Sequence, residues 1–479
     1  MLFSSIVFLF YFLPVVLVVN YLLGFSRTLQ NLWLLIASLF FYAWGEPVYV
    51  FLMLASIFAN YFLGLIIGKS KEKDKPTRRW VVVACIINIG LLFVFKYLPF
   101  TLSNIYRMTG SALTAPKIAL PIGISFFTFQ ALSYVLDVQM NKTKYEKSLF
   151  YVGLYIAFFP QLIAGPIVQY NTVAQQIRER RITMRMFSVG LCRFTAGLGK
   201  KILLSNNFAI LADNIFNWSM IGQEFYEVPI LMAWLGSISY SLQIYFDFSA
   251  YSDMAIGLGL MFGFRFDENF NYPYIAKSIT EFWRRWHISL SSWFRDYVYF
   301  PLGGSRVQNR DKEIRNLFIV WVLTGLWHGA EWNFLLWGMW HFIFILAERF
   351  FGYHEKPGYN VLKHIYTIFI VVVGWTLFRV TNLFQAGRYF ANLVGANSIP
   401  FSNDMTWMLF REYGIWLLLG VIFSMPVAQK INDMLLENTC KPLSILYSVL
   451  YPVAMLLLFA VSVAYLARGT YNPFIYFNF

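Results

Sequence analysis

The chain repeats one pattern from end to end, an apolar run about as long as a bilayer is thick followed by a short polar connection. Such runs cover Phe3 to Phe25, Leu29 to Ala43, Val48 to Ile67 and Val81 to Leu98. They continue through 118–138, 149–169, 186–212, 228–263, 317–350, 361–380, 413–428 and 443–467. At ~20 residues per crossing the pattern predicts about eleven or twelve spans. Some of these should be broken or re-entrant where polar groups interrupt them. An all-α polytopic membrane protein is therefore expected, with 1–479 as one integral-membrane domain and no internal repeat.

Composition supports lipid as the solvent. Of 479 residues, 58% are hydrophobic and only 13% charged, more apolar surface than a soluble domain could hide. The net charge of +14 lies in the connections, where basic residues orient a membrane protein and meet anionic headgroups. That distribution argues against nucleic acid as a partner. "KSKEKDKPTRR" (Lys69 to Arg79) and "IRERRITMR" (Ile177 to Arg185) are expected in the cytoplasm, which puts the N-terminus outside. Lys430 and Lys441 favour a cytoplasmic entry to the last span and a tail on the outside. The first run lacks a basic leader and an A-x-A site, so it reads as a retained helix. Cys85, Cys192 and Cys440 show no CxxC spacing, which argues against a disulfide framework or a metal site.

Three stretches place costly groups among apolar neighbours. "YFDFSAYSDMAIG" carries Asp247 and Asp253 inside a long apolar run. They should face protein or water, either holding a helix break by hydrogen bonds or serving a site. "TEFWRRWHISLSSWFRDYVYFPLGG" reads as an interfacial helix with Arg284, His287, Ser291 and Arg295 on one face. Phe282, Trp286, Trp293 and Tyr297 line another face, and Arg284 and Arg285 could meet phosphates. His287 is either a hydrogen-bonded linker or a site residue.

The third stretch, "WVLTGLWHGAEWNFLLWGMWH", sets His328 in mid-span. Thr324 and Glu331 should share its helix face, and Gly325 and Gly329 flank it, so that a neighbouring backbone or a substrate can approach closely. Kept neutral by desolvation, the ring could accept a proton. His341 falls on a different face and is expected at an interface, while His354 and His364 lie in a polar connection. The last ten residues, 470–479, form an aromatic tail ending "FIYFNF". Tyr476 there is either an interfacial anchor or a reactive phenol.

Neither GxxxxGK[ST], GxGxxG, GxSxG nor HExxH occurs. A proton acceptor in mid-membrane and a basic aromatic layer suit a transporter or an enzyme that moves an acyl group. "WRRWHISLSSWFRDYVYFPLGGSR" followed by "LTGLWHGAEWNFLLWG" resembles the signature of the membrane-bound O-acyltransferase family. "PIGISFFTFQALSYVLDV", "FFPQLIAGPIVQY" and "YFDFSAYSDMAIGLG" extend the likeness across the chain. The resemblance is to the bacterial branch that O-acetylates alginate, peptidoglycan and other envelope polysaccharides. It is similar also to the D-alanyl transferase of teichoic acid synthesis.

That resemblance implies a ring of about eleven transmembrane helices with re-entrant segments, a thinned core and an outward-facing funnel. It implies acetyl-CoA as a cytoplasmic donor, no tightly bound cofactor and no metal. His328 corresponds to the family's catalytic histidine and His287 to a second histidine of the bacterial branch. The tail resembles that of a small helper peptide in teichoic acid D-alanylation, whose tyrosine is proposed to hold the acyl group, so Tyr476 joins the site candidates. Phe474, Phe477 and Phe479 would seat it. An extracytoplasmic SGNH-type partner would pass the group to the polysaccharide. The expected location is the bacterial cytoplasmic membrane, in contact with its lipids. The rival from another class is a transporter or flippase using His328, Asp247 and Asp253 as a path.

Overall fold

The computed structural model describes residues 1–219, 228–307, 309–353, 360–380, 382–436, 441–469 and 471–475. Every regular element among them is helical. Six stretches among the described residues are long and apolar enough to cross a membrane: Phe8–Phe25, Tyr49–Lys71, Arg78–Thr109, Asn360–Arg379, Asp404–Phe423 and Leu446–Ala467. On the last of these Leu456 and Leu457 stand 69% and 62% exposed, which acyl chains tolerate and water does not. The chain is a multi-pass membrane protein.

Other apolar runs are interrupted, each for a local reason. The 118–138 run begins without regular structure and becomes helical only at Ile124–Gln139. The 149–169 run splits into Leu149–Ala157 and Phe159–Leu162, since Pro160 has no amide to bond back to Ile156. The 317–350 run divides at Gly329, whose extended backbone (φ −169°, ψ 156°) ends the helix Arg310–His328.

Two compact units make up the chain. The first comprises Met1–Phe194, Ser252–Glu268 and Ser292–Pro301. Its helices meet through buried amides: Asn88 Nδ2 donates to Asn60 Oδ1 at 2.8 Å, the kind of polar pairing that holds helices together in lipid. Gly190 and Gly257 allow a close crossing, for a Cβ on either would lie 2.5 Å from the other's carbonyl oxygen. The second unit comprises Thr195–Tyr251, Asn269–Ser291 and Leu302–Phe479. At its centre the helices Arg310–His328 and Trp332–Phe350 form a tight hairpin. A Cβ on Gly325 would lie 2.5 Å from the Phe334 carbonyl, and one on Gly338 2.5 Å from that of Trp321. Gly325, one turn before His328, thus admits a neighbouring backbone. Trp283, Trp321 and Trp337 pack into an aromatic core on this hairpin.

Candidate active site

His328 is the last residue of its helix, so the ring stands at the hairpin turn and not inside a continuous helix. The turn also removes Glu331 from the expected shared face: Glu331 immediately precedes the next helix, with no capping bond from its side chain, and is exposed. Thr324 stays on the His328 helix, but its hydroxyl donates to the Val320 carbonyl at 2.7 Å. The imidazole is 5% exposed. Trp327, Trp337 and Phe378 meet it edge-on, with ring centres 5.0, 4.9 and 5.2 Å away. These contacts fix the ring plane and leave little room for rotamer exchange. Gly329 is required by packing here, because a Cβ would sit 2.1 Å from the Phe334 ring.

Phe378 also lines a cavity of about 320 Å³ in the same unit. Its wall mixes aromatic surface (Tyr240, Phe334, Phe378) with polar groups (Asp213, Gln243, Glu331, Arg379). Arg379 pairs with Asp213 at 2.7 Å, and the Tyr471 hydroxyl donates to the other carboxylate oxygen of Asp213 at 2.9 Å.

The tail enters this wall: Tyr471, Pro473 and Ile475 all line the cavity. Phe474 and Ile475 are 6% and 5% exposed, and Phe474 packs on Tyr251 with ring centres 5.1 Å apart. Phe474 and Ile475 are therefore buried in protein, while Tyr471 stays exposed. Tyr476, Phe477 and Phe479 lie outside the described residues.

Asp247 does not hold a helix break, for the helix Ile230–Met261 runs unbroken past it. It forms an ion pair with Lys201 at 2.6 Å, both side chains almost wholly buried. Its second oxygen accepts the Ile475 amide at 2.8 Å, and Lys201 also donates to the Pro473 carbonyl. Lys201 sits in the π-helical turn Lys200–Ser205. Asp253 belongs to a different cluster, paired with Arg193 at 2.9 Å, which also binds Glu268.

His287 is likewise not on a continuous helix. The expected interfacial helix divides into Ile279–Arg285 and Ile288–Phe294, and His287 between them takes a left-handed backbone (φ 45°). Such a conformation in a non-glycine residue costs free energy and clusters at functional sites. Asn269 Oδ1 accepts the backbone N–H of Ser289 at 3.1 Å, which fixes it as the oxygen. The His287 Nδ1 at 3.2 Å must then donate to it, leaving Nε2 with the lone pair. Nε2 has no hydrogen-bond partner among the described residues. Burial pushes the His287 imidazole down to about 3, so it stays neutral near pH 7. The ring packs edge-on against Phe248 and also meets Trp327, so one indole touches both imidazoles.

Arg284 is exposed, whereas Arg285 is held by Glu281 at 2.9 Å and by the Asn271 carbonyl at 3.1 Å. His341 is fully buried among Trp283, Trp321 and Trp337, with both ring nitrogens lacking a partner among the described residues. His364 lies within the helix Asn360–Arg379, with Nδ1 3.0 Å from the Ala276 carbonyl, and His354 lies outside the described residues. Sequence reading missed Asn269, Lys201 and Arg379. Only Lys201 carried a signal, as a cation followed by apolar residues that needs a counter-charge.

The profile of the membrane-bound O-acyltransferase family matches residues 88–384, a stretch that includes both His287 and His328. The chain is 44% identical to the probable alginate O-acetylase AlgI of Pseudomonas syringae pv. tomato, over 81% of this chain and 74% of the relative. It is 33% identical to the peptidoglycan O-acetyltransferase of Helicobacter pylori, over 100% of this chain and 98% of that protein. It is 28% identical to the teichoic acid D-alanyltransferase of Bacillus subtilis, over 53% of this chain and 65% of that one. These matches make the protein an O-acyltransferase of the bacterial branch. The chain belongs to the membrane-bound O-acyltransferase family.

Proposed function

We propose that this enzyme takes an acetyl group from cytoplasmic acetyl-CoA and carries it across the membrane for O-acetylation of an envelope polysaccharide such as alginate or peptidoglycan. The observation that carries the reading is His328 at a helix break, one aromatic ring away from a polar cavity that the tail also lines. His328 takes the proton from an attacking hydroxyl as its oxygen bonds to the thioester carbonyl carbon. The C–S bond breaks, and the CoA thiolate leaves and takes the proton back from the imidazolium. General-base help of this kind is worth ~10²–10⁴ in rate. His287, neutral and fixed in one tautomer, is a poor base and orients the hydroxyl through the Nε2 lone pair. Arg284 meets a phosphate of the donor.

The attacking hydroxyl is that of Tyr476. A phenol ionises more easily than a sugar alcohol, so it is acylated readily and leaves readily in the next transfer. An extracytoplasmic SGNH-type protein then accepts the acetyl group, its hydroxyl displacing the Tyr476 phenolate, and delivers it to polymer. Lys69 to Arg79 faces the cytoplasm, the N-terminus and tail lie outside, and the helices form a ring with a funnel toward the acceptor. The membrane is the bacterial cytoplasmic membrane.

The test is incubation of the purified protein, reconstituted in lipid, with isotope-labelled acetyl-CoA, followed by mass spectrometry of the C-terminal peptide. Label on Tyr476, lost in Tyr476→Phe together with acceptor acetylation, is expected. Polysaccharide acetylation at the full rate in Tyr476→Phe removes the relay. Consumption of a D-alanyl carrier thioester in place of acetyl-CoA removes the acetyl donor.

A further inference from the structure

We infer that the buried Lys201–Asp247 ion pair is a clamp that positions the C-terminal tail for acyl transfer. This rests on the relay reading above. The pair is nearly shut off from solvent, and its unused hydrogen-bonding capacity goes to the tail backbone. Lys201 donates to the carbonyl of Pro473, and Asp247 accepts the amide of Ile475. One cation and one anion thus grip the two backbone groups on either side of Phe474, whose ring is held by Tyr251.

A buried ion pair is a poor device for stability alone, since apolar replacement of both partners often leaves a fold as stable or more so. Here the pair supplies a matched donor and acceptor to an extended segment that has no helical partners of its own. Only one peptide link, ~3.8 Å between Cα atoms, separates the clamped Ile475 from residue 476. Holding Ile475 therefore keeps the next residue within one peptide link of a held point. Backbone atoms are gripped, so the clamp is indifferent to the side chains at 473 and 475 and specific for the path of the chain. Lys201 and Asp247 are positioning residues, and neither touches the reacting atoms.

Two variants of the full-length protein test this. Lys201→Met with Asp247→Leu removes both hooks and both charges. The exchange Lys201→Asp with Asp247→Lys keeps an ion pair, but neither new group can serve its backbone partner: aspartate has no proton for the Pro473 carbonyl and lysine has no acceptor for the Ile475 amide. Amide hydrogen exchange of the tail peptide and label on Tyr476 are read side by side, with thermal unfolding as the check on folding. The expected result in both variants is a tail that exchanges at least ~10-fold faster and acquires label about 10²-fold more slowly, the scale of loss a small misplacement causes. Wild-type exchange in either folded variant overturns the clamp. Restored labelling in the exchanged pair also overturns it, because a purely structural pair would be rescued by reversal. If the wild-type tail is never labelled, the relay fails on its own, while faster exchange in the variants still reports the clamp.

Discussion

Alanine at position 329 tests how the site next to His328 is built. Gly329 has an extended backbone (φ −169°), which alanine adopts freely, so the effect of Gly329→Ala is steric. The added Cβ would lie 2.1 and 2.2 Å from two carbons of the Phe334 ring. Ordinary carbon contacts begin near 3.5 Å, so the ring must retreat by about 1.4 Å. Phe334 packs on Phe378 with centres 4.9 Å apart, and Phe378 packs on His328 at 5.2 Å, so the displacement is passed toward the imidazole. Overpacking of this size costs ~1–3 kcal/mol of stability. Misplacement of a catalytic group by about 1 Å can cost ~10²-fold in rate. CoA release, followed with a thiol reagent, should fall by that order, with a lowered unfolding temperature. Adding Phe334→Leu vacates the space and should recover most of the rate. Gly387→Ala, where a Cβ meets open space within a helix, is the control and should be neutral or stabilising by ~0.5–1 kcal/mol. An unaltered rate in Gly329→Ala refutes the packing account. So does a loss that Phe334→Leu fails to repair, since the glycine would then be serving the substrate directly.

Three further outcomes are expected. His287 is held neutral by burial down to about 3, against 6.5 in the unfolded chain, so its contribution to stability is full above pH 6.5 and is lost as pH falls toward 3. Acid unfolding curves of His287→Gln should be flatter across that window. Arg284→Ala should raise the KM for acetyl-CoA about tenfold at low salt, less at high salt, whereas Arg285→Ala should mainly lower the unfolding temperature. Lys201→Met alone leaves the Asp247 carboxylate buried without its cation and should cost ~3–5 kcal/mol by unfolding measurements, more than the double apolar replacement.

Local patterns were the legible part of this chain. The apolar runs predicted a helical membrane protein, and the residues around His287 and His328 carried the family resemblance. What the runs concealed were the places where backbone geometry overrides periodicity. Helical spacing placed His287 on a face of one helix, but a left-handed residue cannot sit inside a helix, and the break aims the ring toward Phe248 and Trp327. The same error joined Glu331 to His328 across a turn that Gly329 creates. Long-range partners were also hidden. Asp247 finds its cation in Lys201 on another helix and its backbone donor in Ile475, contacts that spacing cannot reveal. His341 falls on a different helix face from His328, which suggested an interface, yet the surrounding tryptophans bury it fully within the protein.

His328 as the base that drives thioester cleavage is tested most directly by His328→Gln in the reconstituted enzyme, with initial rates of CoA release from saturating acetyl-CoA. The account predicts a fall of ~10²–10⁴ with the unfolding temperature within a few degrees of wild type. A folded variant releasing CoA within a few-fold of the wild-type rate would contradict it.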